Sequence, residues 1–281
     1  MQKPPPANRV EGYLDVEGLR TFYIKAGGGH PIVLCHGGSP GTCSSVNWKL
    51  NIESLAAAGF AVYAFDQPGF GLSENPDDYS LDFRFAHARA FVDKMKIERY
   101  HVMGNSMGAY LAARLALEDS RVRRLVLVSS NTLAPKGSPE SQAKSKRHAE
   151  ELRAYTPNFE NMMKMTRGTL FHQNLVTEEL VRERYEMSAG KNYDAQLARA
   201  GAAKSKSLED ELGNLRTKTL ILWGKNDHGT SLDQALLLFQ KIPQAELHVF
   251  DQCAHWVQWD QAERFNNLVV EFLKAENISS L

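Results

Sequence analysis

The sequence predicts an α/β fold, in which helices flank a mostly parallel, twisted sheet and a helical lid is inserted into the chain. Short apolar runs alternate with amphipathic stretches, which is the pattern of strand–helix–strand units around a parallel sheet. This alternation stops between residues 135 and 212 and then resumes. A chain of 281 residues is long enough to bury one large core and to carry such an insertion.

Six short apolar runs are expected to form the parallel strands, because strands buried on both faces read as nearly continuous hydrophobic stretches. They are PIVLC (31–35), AVYAF (61–65), HVM (101–103), LVLV (125–128), TLILW (219–223) and LHVF (247–250). An antiparallel edge pair is expected from residues 13–16 and 20–25. Apolar residues at helical spacing predict helices at 51–58, 81–94, 107–118, 232–241 and 262–274.

The segment 135–212 has many charged residues, apolar residues at helical spacing and no strand-like run. An insertion of this kind usually lies over the carboxyl edge of the sheet, where ligands bind. We therefore interpret it as a lid; a helical decoration that touches no ligand is the alternative. The core is expected to comprise residues 1–134 and 213–281, with residues 1–11 as a flexible arm.

Composition argues against several functional classes. Lys and Arg together number 33, as do Asp and Glu, so no excess positive charge favours a nucleic acid or an anionic membrane. No apolar stretch approaches the roughly 20 residues of a membrane helix, and the polar N-terminus lacks the apolar centre of a signal peptide. The three cysteines form no CxxC pair and the nine histidines no HxxxH pair. We expect a cytoplasmic protein with reduced thiols, no metal and no cofactor.

Ser106 lies in the stretch GNSMG (104–108), directly after an apolar run and before a helix-forming stretch. Gly-x-Ser-x-Gly at a strand–turn–helix junction is the pattern of a nucleophile elbow, whose glycines permit close packing around a strained turn. The pattern alone is common, and an ordinary serine in a glycine-flanked loop is the alternative. Its position between strand and helix favours a nucleophile.

A serine nucleophile needs a base, and the base needs an acidic partner. Asp227 follows the run TLILW, and His255 follows LHVF, so both are expected at the same sheet edge as Ser106. Their order along the chain is the order of nucleophile, acid and base in this kind of fold. Asp227 as a helix cap and His255 as a surface histidine are the alternatives. Weaker candidates are Asp233 and Asp251 for the acid, and His228 for the base.

Two glycines, Gly37 and Gly38, follow the first parallel strand. They allow backbone N–H groups to approach a developing oxyanion, which is worth about 3–4 kcal/mol of transition-state stabilisation. The expected donors are the N–H groups of Gly38 and Met107. The turn DQPGFG (66–71) is interpreted as a structural wall of the site.

These motifs resemble the α/β-hydrolase superfamily and, within it, the meta-cleavage product hydrolases of bacterial aromatic degradation. The resemblance runs over nearly the whole chain from about residue 12. It rests on HGGSPG (36–41), DQPGFGLS (66–73), GNSMG (104–108), LVTEELVRERYE (175–186), LILWGKNDHGTSLD (220–233) and LHVFDQCAHWVQWDQAERFNNLVVEFL (247–273). It implies the α/β-hydrolase fold, a small-molecule substrate and no cofactor. We expect a homo-oligomer, a dimer or tetramer.

The resemblance also implies a reaction. Water would cleave a 2-hydroxy-6-oxo-6-arylhexa-2,4-dienoate, such as the 6-phenyl compound, to 2-hydroxypenta-2,4-dienoate and an aryl carboxylate such as benzoate. Ketonisation of the substrate would precede attack by Ser106; a gem-diol route is the alternative. A carboxylesterase or lactonase with the same triad is the second functional hypothesis, and a small-molecule receptor the third.

Five residues match positions that hold the dienoate end of the substrate in this family: Gly37, Asn47, Asn105, Arg184 and Trp256. A carboxylate beside a 2-oxo group suits a planar guanidinium with amide donors. Arg182 has Glu178 four residues before it as a helical partner, whereas Arg184 has no acid three or four residues away. The alternatives are a solvated charge for Arg184, core packing for Trp256 and support of the elbow for Asn105.

Apolar residues of the predicted lid are candidates for a pocket that takes the acyl side of the substrate, with helical core packing as the alternative for each. They are Met162, Met163, Met165 and Phe171.

Overall fold

The computed structural model describes residues 8–201 and 206–275. Its strands are β1 (Val10–Val16), β2 (Leu19–Ala26), β3 (His30–Cys35), β4 (Phe60–Phe65), β5 (Tyr100–Asn105), β6 (Val122–Val128), β7 (Lys218–Gly224) and β8 (Ala245–Phe250). They form one eight-stranded sheet in the order β1-β2-β4-β3-β5-β6-β7-β8. β2 pairs antiparallel with β1 and β4, and all other neighbours pair parallel. The predicted fold class, the six parallel strands and the antiparallel edge pair are confirmed.

The first strand begins earlier than predicted. Val10 pairs with Lys25 and Glu11 with Ile24, so these two residues belong to the sheet and not to a flexible arm. The sequence does not reveal this start, because an edge strand is partly exposed and needs no continuous apolar run. Val10, for example, is 51% exposed. Residues 1–7 of the predicted arm lie outside the described residues.

Eleven helices are found in the described residues: α1 (Ser44–Asn47), α2 (Ile52–Ala57), α3 (Leu81–Lys94), α4 (Met107–Glu118), α5 (Pro139–Ala154), α6 (Phe159–Thr169), α7 (Glu178–Glu186), α8 (Lys191–Ala200), α9 (Leu232–Lys241), α10 (Val257–Asp260) and α11 (Ala262–Lys274). Short 3₁₀ turns occur at Gln173–Leu175 and Leu212–Asn214. Four of the five predicted helices, α3, α4, α9 and α11, have the predicted bounds. The fifth, α2, is one residue shorter at each end. The four-residue helices α1 and α10 are too short for periodicity to reveal.

Helices cover both faces of the sheet. Residues of α3, α4 and α9 pack with one set of strand side chains, and residues of α2 and α11 pack with the other. In β3 the two layers follow the alternation of side chains, because Val33 and Cys35 face the first and Ile32 and Leu34 the second. Burial on both faces explains why the central strands read as unbroken apolar runs.

The chain between β6 and β7 carries α5–α8, which we call the lid helices, and its described part contains no strand. Asp233, at the start of α9, accepts hydrogen bonds from the Ser138 N–H (2.8 Å) and from the Ser141 hydroxyl. These bonds tie the first lid helix to the core. Within the described residues, every helix is too short or too polar to cross a bilayer.

Candidate active site

Ser106 lies between the end of β5 and the start of α4, in a turn that leaves little room for side chains around it. A Cβ atom at Gly104 would lie 2.1 Å from the carbonyl oxygen of Gly108, and one at Gly108 would lie 2.1 Å from that of Cys35. Only glycine fits at these two positions. Ser106 itself has φ +55° and ψ −120°, backbone angles that residues with a side chain rarely adopt. This is the strained elbow that the sequence pattern predicts.

Asp227 and His255 are joined directly, with His255 Nδ1 2.8 Å from Asp227 Oδ2. The Asp227 carboxylate is buried and also accepts hydrogen bonds from the N–H groups of Gly229 (2.7 Å) and Thr230 (3.0 Å) and from the Thr230 hydroxyl. Burial alone would raise the pKa of Asp227, but the His255 charge and these hydrogen bonds outweigh it and lower the pKa to about 2. An ionised Asp227 selects the tautomer with hydrogen at Nδ1, which leaves Nε2 of His255 free to act as a base.

The weaker acid candidates make other contacts. Asp233 binds the start of the first lid helix, and the exposed Asp251 pairs with Lys225 at 3.0 Å. His228 lines the same cavity as Ser106 and His255, but the hydrogen bond to Asp227 is made by His255.

The glycine turn after β3 lies beside Ser106. The Gly37 N–H donates to Asn47 Oδ1 (3.4 Å), so this group already has a partner. A Cβ atom at Gly38 would lie 2.9 Å from Met107 Sδ, and Gly38, Met107 and Ser106 line one cavity. Met107 is the first residue of α4, where backbone N–H groups lack partners within the helix and carry positive dipole charge. The arrangement suits the expected oxyanion donors.

A buried amide network supports the elbow from behind. Asn47 Nδ2 donates to Asn105 Oδ1 (3.1 Å), and Asn105 Nδ2 donates to the Val128 carbonyl (3.3 Å). Neither asparagine lines the cavity that contains Ser106. Both are fully buried, immediately behind Ser106.

Arg184 is fully buried on α7, so the alternative of a solvated charge is wrong. Its guanidinium donates to Thr166 Oγ1 (3.1 Å) and to the Pro40 carbonyl (3.3 Å), and it stacks 4.6 Å from the centre of the Trp256 ring. Its Nε atom is buried without a partner among the described residues. Burial lowers the pKa of Arg184 to about 10. By contrast, Arg182 is exposed and pairs with a glutamate at 2.6 Å, as predicted.

A cavity of about 1080 Å³ separates the carboxyl edge of the sheet from the lid helices. The core contributes Ser106 and His255 to its wall, and the lid helices contribute His148, Met165 and Thr169. The lid helices therefore face the candidate catalytic residues. A groove of about 1460 Å³ at the opposite edge of the strands contains none of the candidate site residues. Within the described residues, no group of three or more His, Cys, Asp or Glu side chains is placed to hold a metal ion.

Comparison with known proteins places the chain in a family. Residues 30–262 match the model of the α/β-hydrolase fold family. A 2-hydroxy-6-oxo-6-phenylhexa-2,4-dienoate hydrolase of Comamonas testosteroni is 34% identical over 276 residues, covering 92% of this chain and 93% of that protein. A 2-hydroxy-6-oxononadienedioate/2-hydroxy-6-oxononatrienedioate hydrolase of Cupriavidus pinatubonensis is 33% identical over 257 residues, covering 88% and 87%.

Solved structures give the same result. The meta-cleavage product hydrolase of Pseudomonas fluorescens IP01 superposes with a TM-score of 0.82 at 33% identity, covering 93% of this chain and 96% of that chain. The chain belongs to the meta-cleavage product hydrolases of the α/β-hydrolase family. The family predicted from the sequence motifs is thereby confirmed.

The lid of this meta-cleavage product hydrolase corrects the predicted acyl pocket. Of the four candidates, Met165 lines the cavity. Met162 is fully buried in a cluster with Tyr155 and Val181, and Met163 packs against the same cluster. Phe171 is 40% exposed and lies outside the cavity wall. Helical spacing identifies the apolar residues of the lid but does not show which of them face the cavity.

Several cavity residues of the hydrolase were not predicted from the sequence. The His148 ring lies 6.0 Å from the His255 ring, centre to centre. Arg84 and Arg199 also line the cavity. A signal existed for Arg84, which shares a helical face with the buried Ala88 and with apolar residues one turn further along. His148 lies among many polar residues of α5, and no local pattern separates it from a solvated surface. Arg199 shares a helical face with the buried Ala195 one turn before it, which is a weaker signal of the same kind.

Proposed function

We propose that the protein hydrolyses the C5–C6 bond of 2-hydroxy-6-oxohexa-2,4-dienoates, giving 2-hydroxypenta-2,4-dienoate and the carboxylic acid of the C6 side. The observation that carries the proposal is Arg184, a buried cation without a carboxylate partner among the described residues, whose Nη1 lies 3.5 Å from the hydroxyl of Thr169 in the cavity wall. An ester hydrolase acting on a neutral substrate has no use for such a group. The relatives described above are hydrolases of dienoates of this type, which supports the same substrate class.

Arg184 binds the substrate carboxylate and the 2-oxo group, and the buried amides of Asn47 and Asn105 support the elbow from behind. The unpartnered Nε of Arg184 is available for this contact. A positive charge at this end favours the ketonised substrate, in which C5 has gained a proton and the 2-hydroxyl has become a carbonyl. The electron pair released from C5 can then delocalise onto O2.

Ser106 attacks the C6 carbonyl after giving its proton to Nε2 of His255, whose Nδ1 remains hydrogen-bonded to Asp227. The oxyanion faces the N–H groups of Gly38 and Met107. The C5–C6 bond then breaks, the dienolate leaves with the proton from His255, and an acyl-Ser106 ester remains. Water, deprotonated by His255, hydrolyses this ester and regenerates the serine.

The test measures turnover of a yellow 6-phenyl dienoate by its loss of visible absorbance. Ser106→Ala is expected to reduce kcat by about 10⁴-fold or more, and Arg184→Gln to reduce kcat/KM by about 100-fold while a neutral nitrophenyl ester is still hydrolysed. Arg182→Gln, an exposed neighbour on the same helix, is the matched control.

Two results would overturn the proposal. Hydrolysis of the ester without cleavage of any dienoate would identify an esterase. Stoichiometric binding of the dienoate without turnover would identify a receptor.

We also propose that the enzyme acts in the cytoplasm as a homo-oligomer. The three cysteines are free and buried, which suits a reducing compartment. Leu236 and Phe239 on α9 are 50% and 41% exposed, and Val249 on the adjoining edge strand is 38% exposed. An apolar patch of this kind suits contact with a second copy. Light scattering after size-exclusion chromatography tests it, and a monomeric mass at micromolar concentration would refute it.

A further inference from the structure

Two arginines of the catalytic cavity wall contact the same aromatic ring. The guanidinium carbon of Arg84, on α3, lies 4.9 Å from the centre of the Phe70 ring, and that of Arg199, on α8, lies 4.1 Å from it. Phe70 belongs to the turn 66–71, which the sequence indicated as a wall of the site. A core helix and a lid helix therefore each bring a cation to the same place.

Neither arginine forms an ion pair within the described part of the protein. Arg84 Nη1 donates to the Pro68 carbonyl (2.7 Å), and Arg199 Nη1 donates to the Gly69 carbonyl (2.9 Å). Arg84 is only 1% exposed, and its Nη2 atom is buried without a hydrogen-bond partner among the described residues. Burial, and the repulsion from Arg199, lower the pKa of Arg84 to about 9. A buried cation in this condition is a site prepared for an anion.

The two arginines share their cavity with Ser106, and most of its remaining charges have the same sign. Lys144, Arg147 and Lys164 also line it, whereas Glu151 is the one carboxylate among the described lining residues. A chain with no net charge thus has a strongly cationic cavity wall. Charges around the mouth would attract an anionic substrate, and the two buried guanidiniums would fix its position.

This pair is separate from Arg184. Arg184 donates to Thr166 and Pro40, whereas Arg84 and Arg199 donate to the turn after β4. A substrate with a single carboxylate at the dienoate end would neutralise Arg184 and leave the other pair unpaired.

We propose that Arg84 and Arg199 form a second anion subsite, which binds a carboxylate carried by the C6 substituent. The preferred substrate is then a dianion, and the acid released from the acyl-enzyme is a dicarboxylate. This inference rests on the proposed dienoate hydrolysis. The names of the relatives include both a 6-phenyl dienoate and a dienedioate, so the resemblance leaves the acyl group open and the cavity of this chain decides it.

The test uses matched dienoates whose C6 substituent is 2-carboxyethyl or 2-carbamoylethyl, and 4-carboxyphenyl or 4-carbamoylphenyl. In the wild type, KM is expected to be roughly 30-fold lower for the carboxylate of at least one pair than for its neutral amide, with similar kcat. The pair that shows the larger difference tells whether the anion is on an alkyl or an aryl group.

Arg84→Gln and Arg199→Gln are expected to remove this preference by raising KM for the carboxylates about tenfold or more, with the amides changed less than about twofold. Arg84→Lys should restore part of it. Arg89→Gln, exposed on the same helix α3, is the matched control.

Equal KM values for carboxylate and amide in the wild type would overturn the subsite, even if the Arg84 variants do not fold. Variants that weaken both members of a pair equally would also overturn it, because that result indicates a structural role. Failure of the proposed function would look different, since no dienoate with any C6 group would be cleaved.

Discussion

The two walls of the catalytic cavity are built by different means. On the sheet side, Ser106, Asp227 and His255 each follow the end of a parallel strand within a few residues. On the lid side, the wall comes from helices that approach the sheet only through tertiary packing, as Met165 and Arg199 do. The positions of the catalytic residues are therefore determined by short sequence segments. The selectivity of the site depends on residues that are distant in sequence and close in space. Substitutions on the two sides should act on different quantities.

Asp227→Asn should have the largest effect, on the sheet side. An amide at this position holds His255 in the wrong tautomer, so kcat for the dienoate is expected to fall by about 10⁴-fold with little change in folding. Steady-state kinetics measure it. Asp251→Asn is the control, because this carboxylate also follows a strand but is exposed and paired with Lys225. A comparable loss in the Asp251 variant would contradict the assignment of the acid.

Met162→Ala should affect stability and not catalysis. Met162 is fully buried among lid residues and does not line the cavity, so its truncation is expected to lower the free energy of unfolding by about 2–5 kcal/mol. Chemical denaturation followed by circular dichroism measures this change. Met165→Ala is the comparison, since this half-buried residue lines the cavity and should change KM more than stability. The reverse pattern would show that the lid packs differently.

Lowering the pH should reduce the stability of the fold through Asp227, on the sheet side of the cavity. Its pKa is about 2 in the folded protein, against an ordinary value of 3.8 for an aspartate, so ionised Asp227 stabilises the fold above about pH 4. As pH falls from about 4 to 2, about 2 kcal/mol of this stabilisation is lost. The measurement is the free energy of unfolding against pH for the wild type and for Asp227→Asn. Parallel curves for the two proteins would argue against a lowered pKa.

Phe171→Ser should have the smallest effect. The ring is 40% exposed, makes an edge contact with His172 and lies outside the cavity wall, so stability should change by less than about 0.5 kcal/mol. KM for the dienoate should stay the same. The melting temperature and steady-state kinetics measure these two quantities. A raised KM would indicate that Phe171 contributes to the acyl pocket.

The sheet and the placement of the catalytic residues were predictable because they depend on short-range signals. Buried parallel strands are continuous apolar runs, and a residue just after such a run lies at the carboxyl edge whatever the rest of the chain does. The sequence thus placed Ser106, Asp227 and His255 at one edge, and it predicted the bounds of α4 that fix the elbow.

The lid side was less predictable for a physical reason. Helical spacing identifies a face but not its neighbour, so Met162 and Met165 look alike in sequence while one packs inside the lid and the other faces the cavity. Composition was also misleading. Equal numbers of acids and bases hide a cavity wall in which Arg84 and Arg199 bond backbone carbonyls and form no ion pair among the described residues.

The backbone of Ser106 has a consequence for how such a protein can evolve. Its φ of +55° is tolerated by glycine, whereas a serine there carries about 1–3 kcal/mol of strain. Replacing the nucleophile by glycine would thus relieve the fold while ending catalysis. Selection for activity keeps the chain below the stability that its own architecture allows. Selection of variants for thermal stability alone would therefore favour replacement of the nucleophile at an early step.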